Sequence, residues 1–316
     1  MIKSHSQRGH QRLEEEALPA VQGGRLWASG VYAFGRFARA VKSLPKRLVE
    51  GLSPRIARVY RRRRDLLQTT GLPPTPTLFD LTLRGDSEAI ADRENAADVS
   101  AMLSLIDACD IFVDVGAYIG FYSCIAARKG KYAIAVEPQP MSLQVLQRNL
   151  VENGLAPRFE IHAAALGDRE GSAAFFGGRE YGSLLPDWAG IRAESQYTSL
   201  VSVNTLDRLV DGRFPGEHLL INIDVEGNEH ALMLGASKTM RRDPKPVWVL
   251  EICLTENFPG SLNPHFLEVF EIFWREGYVA TPLTEPAHIL SHDEVLSWID
   301  QRRTNHTDVH YLFRNR

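Results

Sequence analysis

The chain of 316 residues contains little cysteine: Cys109, Cys124 and Cys253 are odd in number, far apart, and form no Cys-x-x-Cys pair. This spacing excludes a disulfide framework and a thiolate zinc site, and leaves buried, reduced thiols as the expectation, which points to the cytoplasm. An apolar run of membrane length is also lacking, because Arg or Lys interrupts each stretch that begins as one, and no secretory signal with a long apolar segment is present. The expected location is cytoplasmic, either soluble or peripheral to the inner membrane face. No internal repeat is found.

Net charge is small, at -3, but unevenly distributed. Residues 1–70 hold 15 Lys/Arg against 5 Asp/Glu, a net of +10; the remainder holds 21 against 34, a net of -13. A basic arm on an acidic body disfavours a nucleic-acid footprint across the body and suits a small-molecule or glycan partner there. Residues 1–24 are polar and receive no role. From Arg25 to Glu50, Trp27, Val31, Phe34, Ala38 and Val41 recur at steps of three and four among basic residues, an amphipathic helix pattern weakened by Gly30, Gly35 and Pro45. A second basic stretch ends in Arg61-Arg62-Arg63-Arg64, and Gly71 to Pro76 reads as a linker. The expected division is therefore a basic, partly helical arm at 1–75 and a catalytic-size domain at 76–316. Two readings of residues 25–64 stay open: a membrane-surface contact, or a helical cap and oligomer contact.

Beyond Pro76, short apolar runs alternate with helical patterns. Strands are expected at Phe79–Leu83, Ile111–Val115, Ala133–Val136, Arg158–Ala165, Leu219–Asp224 and Val247–Ile252. Helices are expected at Asp98–Cys109, Phe121–Lys129, Pro140–Asn153, Leu206–Leu209, His230–Met240 and Phe266–Glu276. Ser172–Phe176 and Leu200–Val203 read as inserted β-structure, and Tyr278–Pro282 with His310–Phe313 as a last antiparallel pair. Such units make an α/β, doubly wound, mostly parallel sheet covered on both faces, with an antiparallel final strand.

In such a sheet, ligands lie beyond the C-terminal strand ends where strand order reverses. There Asp114-x-Gly116-Ala117-Tyr118-x-Gly120 follows an apolar strand and opens a helix, so glycines allow close approach and the helix start offers free amides. The middle glycine of a dinucleotide loop is missing. Asp114 would repel a pyrophosphate, whereas it would favour a cationic sulfonium by about 1 to 4 kcal/mol at surface-like dielectric. The next strand ends at Glu137, placed to accept both ribose hydroxyls. Asp224, Glu226, Glu229 and Glu251 crowd the tips of two later strands; Glu229 reads equally as a helix-start acid. The insert at 177–199, with Tyr181, Ser183, Trp188 and Tyr197, either covers an acceptor pocket or forms a small satellite core.

These residues resemble the FkbM-type methyltransferases. The likeness rests on Phe112 to Gly120, Val136-Glu137-Pro138, Ala165-Leu166-Gly167, Thr205-Leu206-Asp207, Ile223 to Glu229 with Leu234-Gly235-Ala236, and Glu251, in order over residues 90–280. The chain departs from the family's usual pattern at Tyr118 (usually Asn), Asn222 (usually Lys) and Asn228 (usually Ala). The resemblance implies a Rossmann-like fold and transfer of a methyl group from S-adenosyl-L-methionine to a hydroxyl of a sugar, glycan or other natural product. It implies a cofactor site of Asp114, Gly116, Ala117, Tyr118, Gly120, Glu137, Ala165 and Asp224. The expected base is Asp224 or Glu226, with Glu251 or His230 as substitutes. An alternative gathers Asp224, Glu226 and Glu251 on a divalent cation. A non-catalytic binding or scaffold protein of the same fold is the competing function.

Overall fold

In the computed structural model of the chain, residues 72–177, 182–188, 198–306 and 308–315 are described. The basic helical pattern at 25–50, the arginine run and both readings of the arm lie outside them. Among the described residues no helix is long and apolar enough to cross a membrane.

Two apolar periodicities build the central sheet. Ile111–Val115 (β3) is buried throughout, and its alternation sends Ile111, Val113 and Val115 to one core and Phe112 to the other. Tyr132–Val136 (β4) and Phe159–His162 (β5) continue the sheet on one side of β3. Leu219–Ile223 (β9) and Val247–Glu251 (β10) continue it on the other, and all five strands run parallel. Strand order thus reverses between β3 and β9, where the glycine turn and the acids meet.

The last two strands, Tyr278–Pro282 (β11) and His310–Asn315 (β12), complete the order β11-β12-β10-β9-β3-β4-β5. β12 is antiparallel to both neighbours and lies inside the sheet, which buries Tyr311, Leu312 and Phe313 between two strands. This placement carries His310 to the register of Glu251 at the tip of β10.

Helices cover both faces, as the pattern implied. Ser87–Glu94 (α1), Val99–Ala108 (α2), Phe121–Arg128 (α3) and Pro140–Glu152 (α4) contribute Ile90, Met102, Cys124 and Val145 to one core. Leu206–Val210 (α5), Glu229–Leu234 (α6), Phe266–Arg275 (α7) and His292–Gln301 (α8) contribute Leu206, Leu232, Phe270 and Trp298 to the other. All three cysteines are free and buried.

Several sequence expectations change. Pro74–Pro76 (β1), within the stretch read as a linker, pairs antiparallel with Thr82–Arg84 (β2). The strand expected at Phe79–Leu83 is shortened at its start because Asp80 turns at φ 55°. The strand expected at Arg158–Ala165 divides into β5 and Ala165–Leu166 (β6), which joins Gly171–Phe176 (β7) and Thr198–Asn204 (β8) in a separate sheet of order β6-β8-β7. The helix expected at His230–Met240 stops at Leu234 with Gly235 as its C-cap, where a Cβ would lie 2.1 Å from the Gly167 carbonyl oxygen. Helices α1 and α8 were not expected from the sequence.

Candidate functional site

The turn after β3 is held in a shape that side chains resist. Gly116 has φ 85°, and a Cβ there would lie 1.7 Å from the Asp224 carbonyl oxygen. Gly120 has φ 81°, with Leu146 Cδ1 at 2.2 Å from its would-be Cβ. Tyr118, at φ 50°, occupies the left-handed region without being glycine, which is costly unless its surroundings hold it. One restraint is visible: its backbone N–H donates to Glu137 Oε2 at 2.9 Å.

Part of this turn's backbone is taken up within the turn itself. Gly116 and Ala117 N–H both donate to the Val136 carbonyl, at 2.9 and 3.1 Å, and Gly120 N–H donates to the Ala117 carbonyl at 2.7 Å. The start of α3 carries no side-chain cap, so its first amides stay available to a ligand beside the surrounding side chains. Asp114 also differs from expectation. Its carboxylate is buried and accepts from Ser123 Oγ at 2.5 Å and Asn222 Nδ2 at 3.0 Å, bracing the first turn of α3 against β9.

Two cavities open on either side of this turn, and Gly116, Tyr118 and Asp224 line both. The first, about 140 Å³, is lined also by Glu137, Ala165, Leu166, Phe175 and Glu226. Glu137 is 6% exposed and accepts Tyr118 N–H on one oxygen and Gln139 N–H on the other, at 2.7 Å. Burial raises its pKa to about 7 in spite of these two bonds. The second cavity, about 230 Å³, adds Arg93, Asp114, Ala117, Tyr122, Asn222 and His310. The expected cofactor residues Asp114, Gly116, Ala117, Tyr118, Glu137, Ala165 and Asp224 thus line one cavity or both. Gly120 stands at the N-cap of α3 and lines neither.

The acids are brought together as the strand tips required. Burial, and then the charge of Glu251, push Asp224 well above the usual carboxylate range, while His310 and Arg93 pull it back. Burial and the Asp224 and Glu251 charges likewise raise Glu226. Glu226 Oε2 accepts the indole N–H of Trp188 at 2.5 Å, and its carbonyl accepts Ser183 Oγ at 2.6 Å. Glu229 is buried, raised to about 7 chiefly by burial, and accepts Gly227 N–H at 2.9 Å. It therefore serves the start of α6.

Two of the expected bases stand outside these two cavities. His230 lines neither cavity; its Nε2 lies 3.2 Å from Glu268 and its ring stacks on His265. Glu251 also stays outside both linings, with its carboxylate 3.6 Å from His310 Nε2, so it acts on Asp224 through charge. Nor do Asp224, Glu226 and Glu251 form a close ligand set. Among the described residues, the His/Cys/Asp/Glu groups whose ligand atoms all lie within 4.8 Å are His230–His265–Glu268 and His288–Glu294–His306. Of the insert's four named residues, Tyr181 and Tyr197 lie outside the described residues. Trp188 is 2% exposed and packs edge-on against Phe258, which settles it as a core residue that holds Glu226.

The family model for the methyltransferase FkbM domain matches residues 114–280, more than half of the chain. The chain belongs to this family. No curated protein matches the sequence. Solved structures similar to it include methyltransferase FkbM from Methylobacillus flagellatus KT, 20% identical over 65% of this chain and 44% of that one, with TM-score 0.40. An O-methyltransferase from Bacillus cereus in complex with SAH is 13% identical over 79% and 89% of the two chains, with TM-score 0.38. A putative O-methyltransferase from Klebsiella pneumoniae is 12% identical over 79% and 88%, with TM-score 0.37. The chain thus spans less than half the length of the Methylobacillus protein.

Outside the matched residues, two basic groups that sequence reading did not find line the second cavity together with Asn222. Arg93 reaches the second cavity from α1, with its guanidinium 3.3 Å from Asp98 and 4.7 Å above the Tyr122 ring. His310 arrives from β12, bonded to Asp308 at 2.9 Å. Burial opposes charge on His310, but Asp308 and Glu251 outweigh it and hold the imidazole above its ordinary pKa. A helix-start signal was available for Arg93, since Asp86 caps α1 by accepting the Glu88 and Ala89 amides. His310 carried no local signal, because only the insertion of β12 beside β10 brings it in.

Proposed function

We propose that this FkbM-family protein transfers a methyl group from S-adenosyl-L-methionine to a hydroxyl of a polyhydroxylated acceptor, a sugar, glycan or related natural product. The observation that carries the reading is the shared wall of Gly116, Tyr118 and Asp224 between a cavity with a buried carboxylate and a cavity with two cationic groups. Glu137 suits the ribose: each oxygen accepts one backbone amide and retains acceptor capacity for a hydroxyl hydrogen. When bound, S-adenosylmethionine supplies an electrophilic methyl. Asp224, lining both cavities, is placed to take the acceptor's hydroxyl proton as the new C–O bond forms.

Asp224 must be ionised for that task, and its raised pKa opposes this in the empty site. Arg93 and His310 favour the ionised form, and so does any cation admitted beside it. Base strength thereby becomes linked to loading of the site. Around the second cavity Asp86, Arg93, Asn222 and His310 offer hydrogen-bonding groups beside Ile90, Ile119 and Phe121, a mixture that suits an acceptor with hydroxyls on an apolar frame.

Calorimetric titration with S-adenosylmethionine tests the first half of the proposal. Glu137→Ala is expected to weaken binding at least about tenfold, or 1.4 kcal/mol; unchanged affinity removes Glu137 from the site. No heat and no thermal shift with the unaltered chain would favour a non-catalytic binding protein. Transfer of labelled methyl groups to glycan, lipid and small-molecule fractions tests the second half. Asp224→Asn is expected to reduce turnover more than cofactor affinity, and full activity in that variant would exclude Asp224 as the base.

A further inference from the structure

Ahead of β12, three side chains that the reaction does not use converge around α8. His288 precedes the helix, Glu294 lies in its first turn, and His306 follows its C-terminal end. One nitrogen from each imidazole and one Glu294 oxygen all lie within 4.8 Å of one another. His288 Nε2 is 3.0 and 3.1 Å from the two Glu294 oxygens, and the two imidazole centroids are 5.1 Å apart at 84°.

His306 is the decisive member. Its side chain is 7% exposed, and its Nδ1 lies 3.1 Å from the Glu285 carboxylate. In the neutral ring, a carboxylate at Nδ1 calls for the proton on Nδ1, and Nε2 is then the nitrogen that carries the lone pair. Nε2 is buried and has no hydrogen-bond partner. A buried, unpartnered acceptor costs stability. An ion pair between His288 and Glu294 would account for two of the three residues and leave this nitrogen unexplained. A carboxylate behind one imidazole nitrogen, with the other nitrogen bare, is the arrangement that orients a metal-ligating histidine.

We propose that His288, Glu294 and His306 form a site for a divalent transition metal of the zinc type, with Glu285 orienting His306. Two imidazoles and one carboxylate make a borderline nitrogen and oxygen donor set, which suits zinc rather than magnesium or calcium. Ligand atoms on a tetrahedral ion stand roughly 3.3 Å apart, so side-chain rotation of about an ångström closes the set. The ion ties the segment before α8 to the segment after it. That second segment leads within four residues to His310, so the metal steadies the entry of β12 without touching the reacting groups.

The test is titration of the full-length, metal-stripped chain with Zn²⁺ in competition with a chromogenic chelator. One equivalent is expected to bind and to raise Tm. His306→Gln and Glu294→Gln are each expected to abolish that equivalent, and Glu285→Gln to weaken it at least about tenfold. His288→Gln, at a more exposed residue, gives the same readout if the His306 variant fails to fold. An equivalent that survives in the His288 and Glu294 variants, or is lost instead on His265→Gln, overturns the site. So does the absence of tight binding to the unaltered chain. None of these readouts depends on methyl transfer.

Discussion

At the residue scale, the site rests on positions whose backbone or burial admits few substitutes. Gly116 combines a left-handed φ with contact against the Asp224 backbone, so a methyl group can be relieved only by moving the chain. Gly116→Ala is expected to cost more than about 2 kcal/mol of stability and to abolish cofactor binding, as measured by urea unfolding and calorimetry. The sequence made the need for glycine here legible, since an apolar strand followed by spaced glycines implies a tight approach. It did not show that the approach is to Asp224, nor that Gly116 and Ala117 both spend their amides on the Val136 carbonyl. The same limit applies to Trp188, whose sequence reading allowed either a cover over an acceptor pocket or a place in a satellite core. Its indole N–H on Glu226 and its full burial are contacts across 38 residues, which no local pattern records.

At the scale of elements, α1 and β12 supply the charges that Asn222 lacks. Removing the Arg93 guanidinium removes a positive charge that favours ionised Asp224, so the carboxyl pKa rises further. In Arg93→Met, the acidic limb of the kcat/KM profile is expected to move to higher pH, with Arg93→Lys restoring most of the shift. A profile unmoved by Arg93→Met would mean that the guanidinium does not govern this ionisation. The parallel strands and most helices were legible because each buries a continuous run or a periodic face. Helix α8 also had a signature, the Ser291-x-x-Glu294 capping box, in which Ser291 Oγ accepts the Glu294 amide at 3.2 Å. The division of Arg158–Ala165 into two strands had none, because both pieces have strand character and only their partners differ. The chain leaves the edge of the main sheet after His162 and pairs Ala165 with Val203 instead.

At the scale of the whole molecule, the crowded carboxyls make stability depend on pH in a direction opposite to that of an ordinary salt-bridged surface. Glu137 and Glu229 titrate at about 7 when folded, against an ordinary value of 4.5. Between those values the folded chain retains protons that the unfolded chain releases, so these groups reduce stability as pH rises from about 4.5 to about 7, and their effect then levels off. Asp224 and Glu226, also raised, extend the decline. Thermal unfolding between pH 5 and 8 is expected to show Tm falling less steeply in Glu229→Gln than in the unaltered chain. A slope unchanged by that substitution would assign the decline to other groups. The sequence by itself determined the doubly wound architecture, the place of the glycine turn and the identities of Glu137 and Asp224. These follow from hydrophobic periodicity and local backbone chemistry, which act over a few residues. The tertiary structure alone decided which charges face one another, because β12 inserts between β10 and β11 and α1 packs on the opposite core. It therefore decided that Arg93 and His310 join the acids, that His230 stands apart from them, and that His306 is buried with a bare nitrogen.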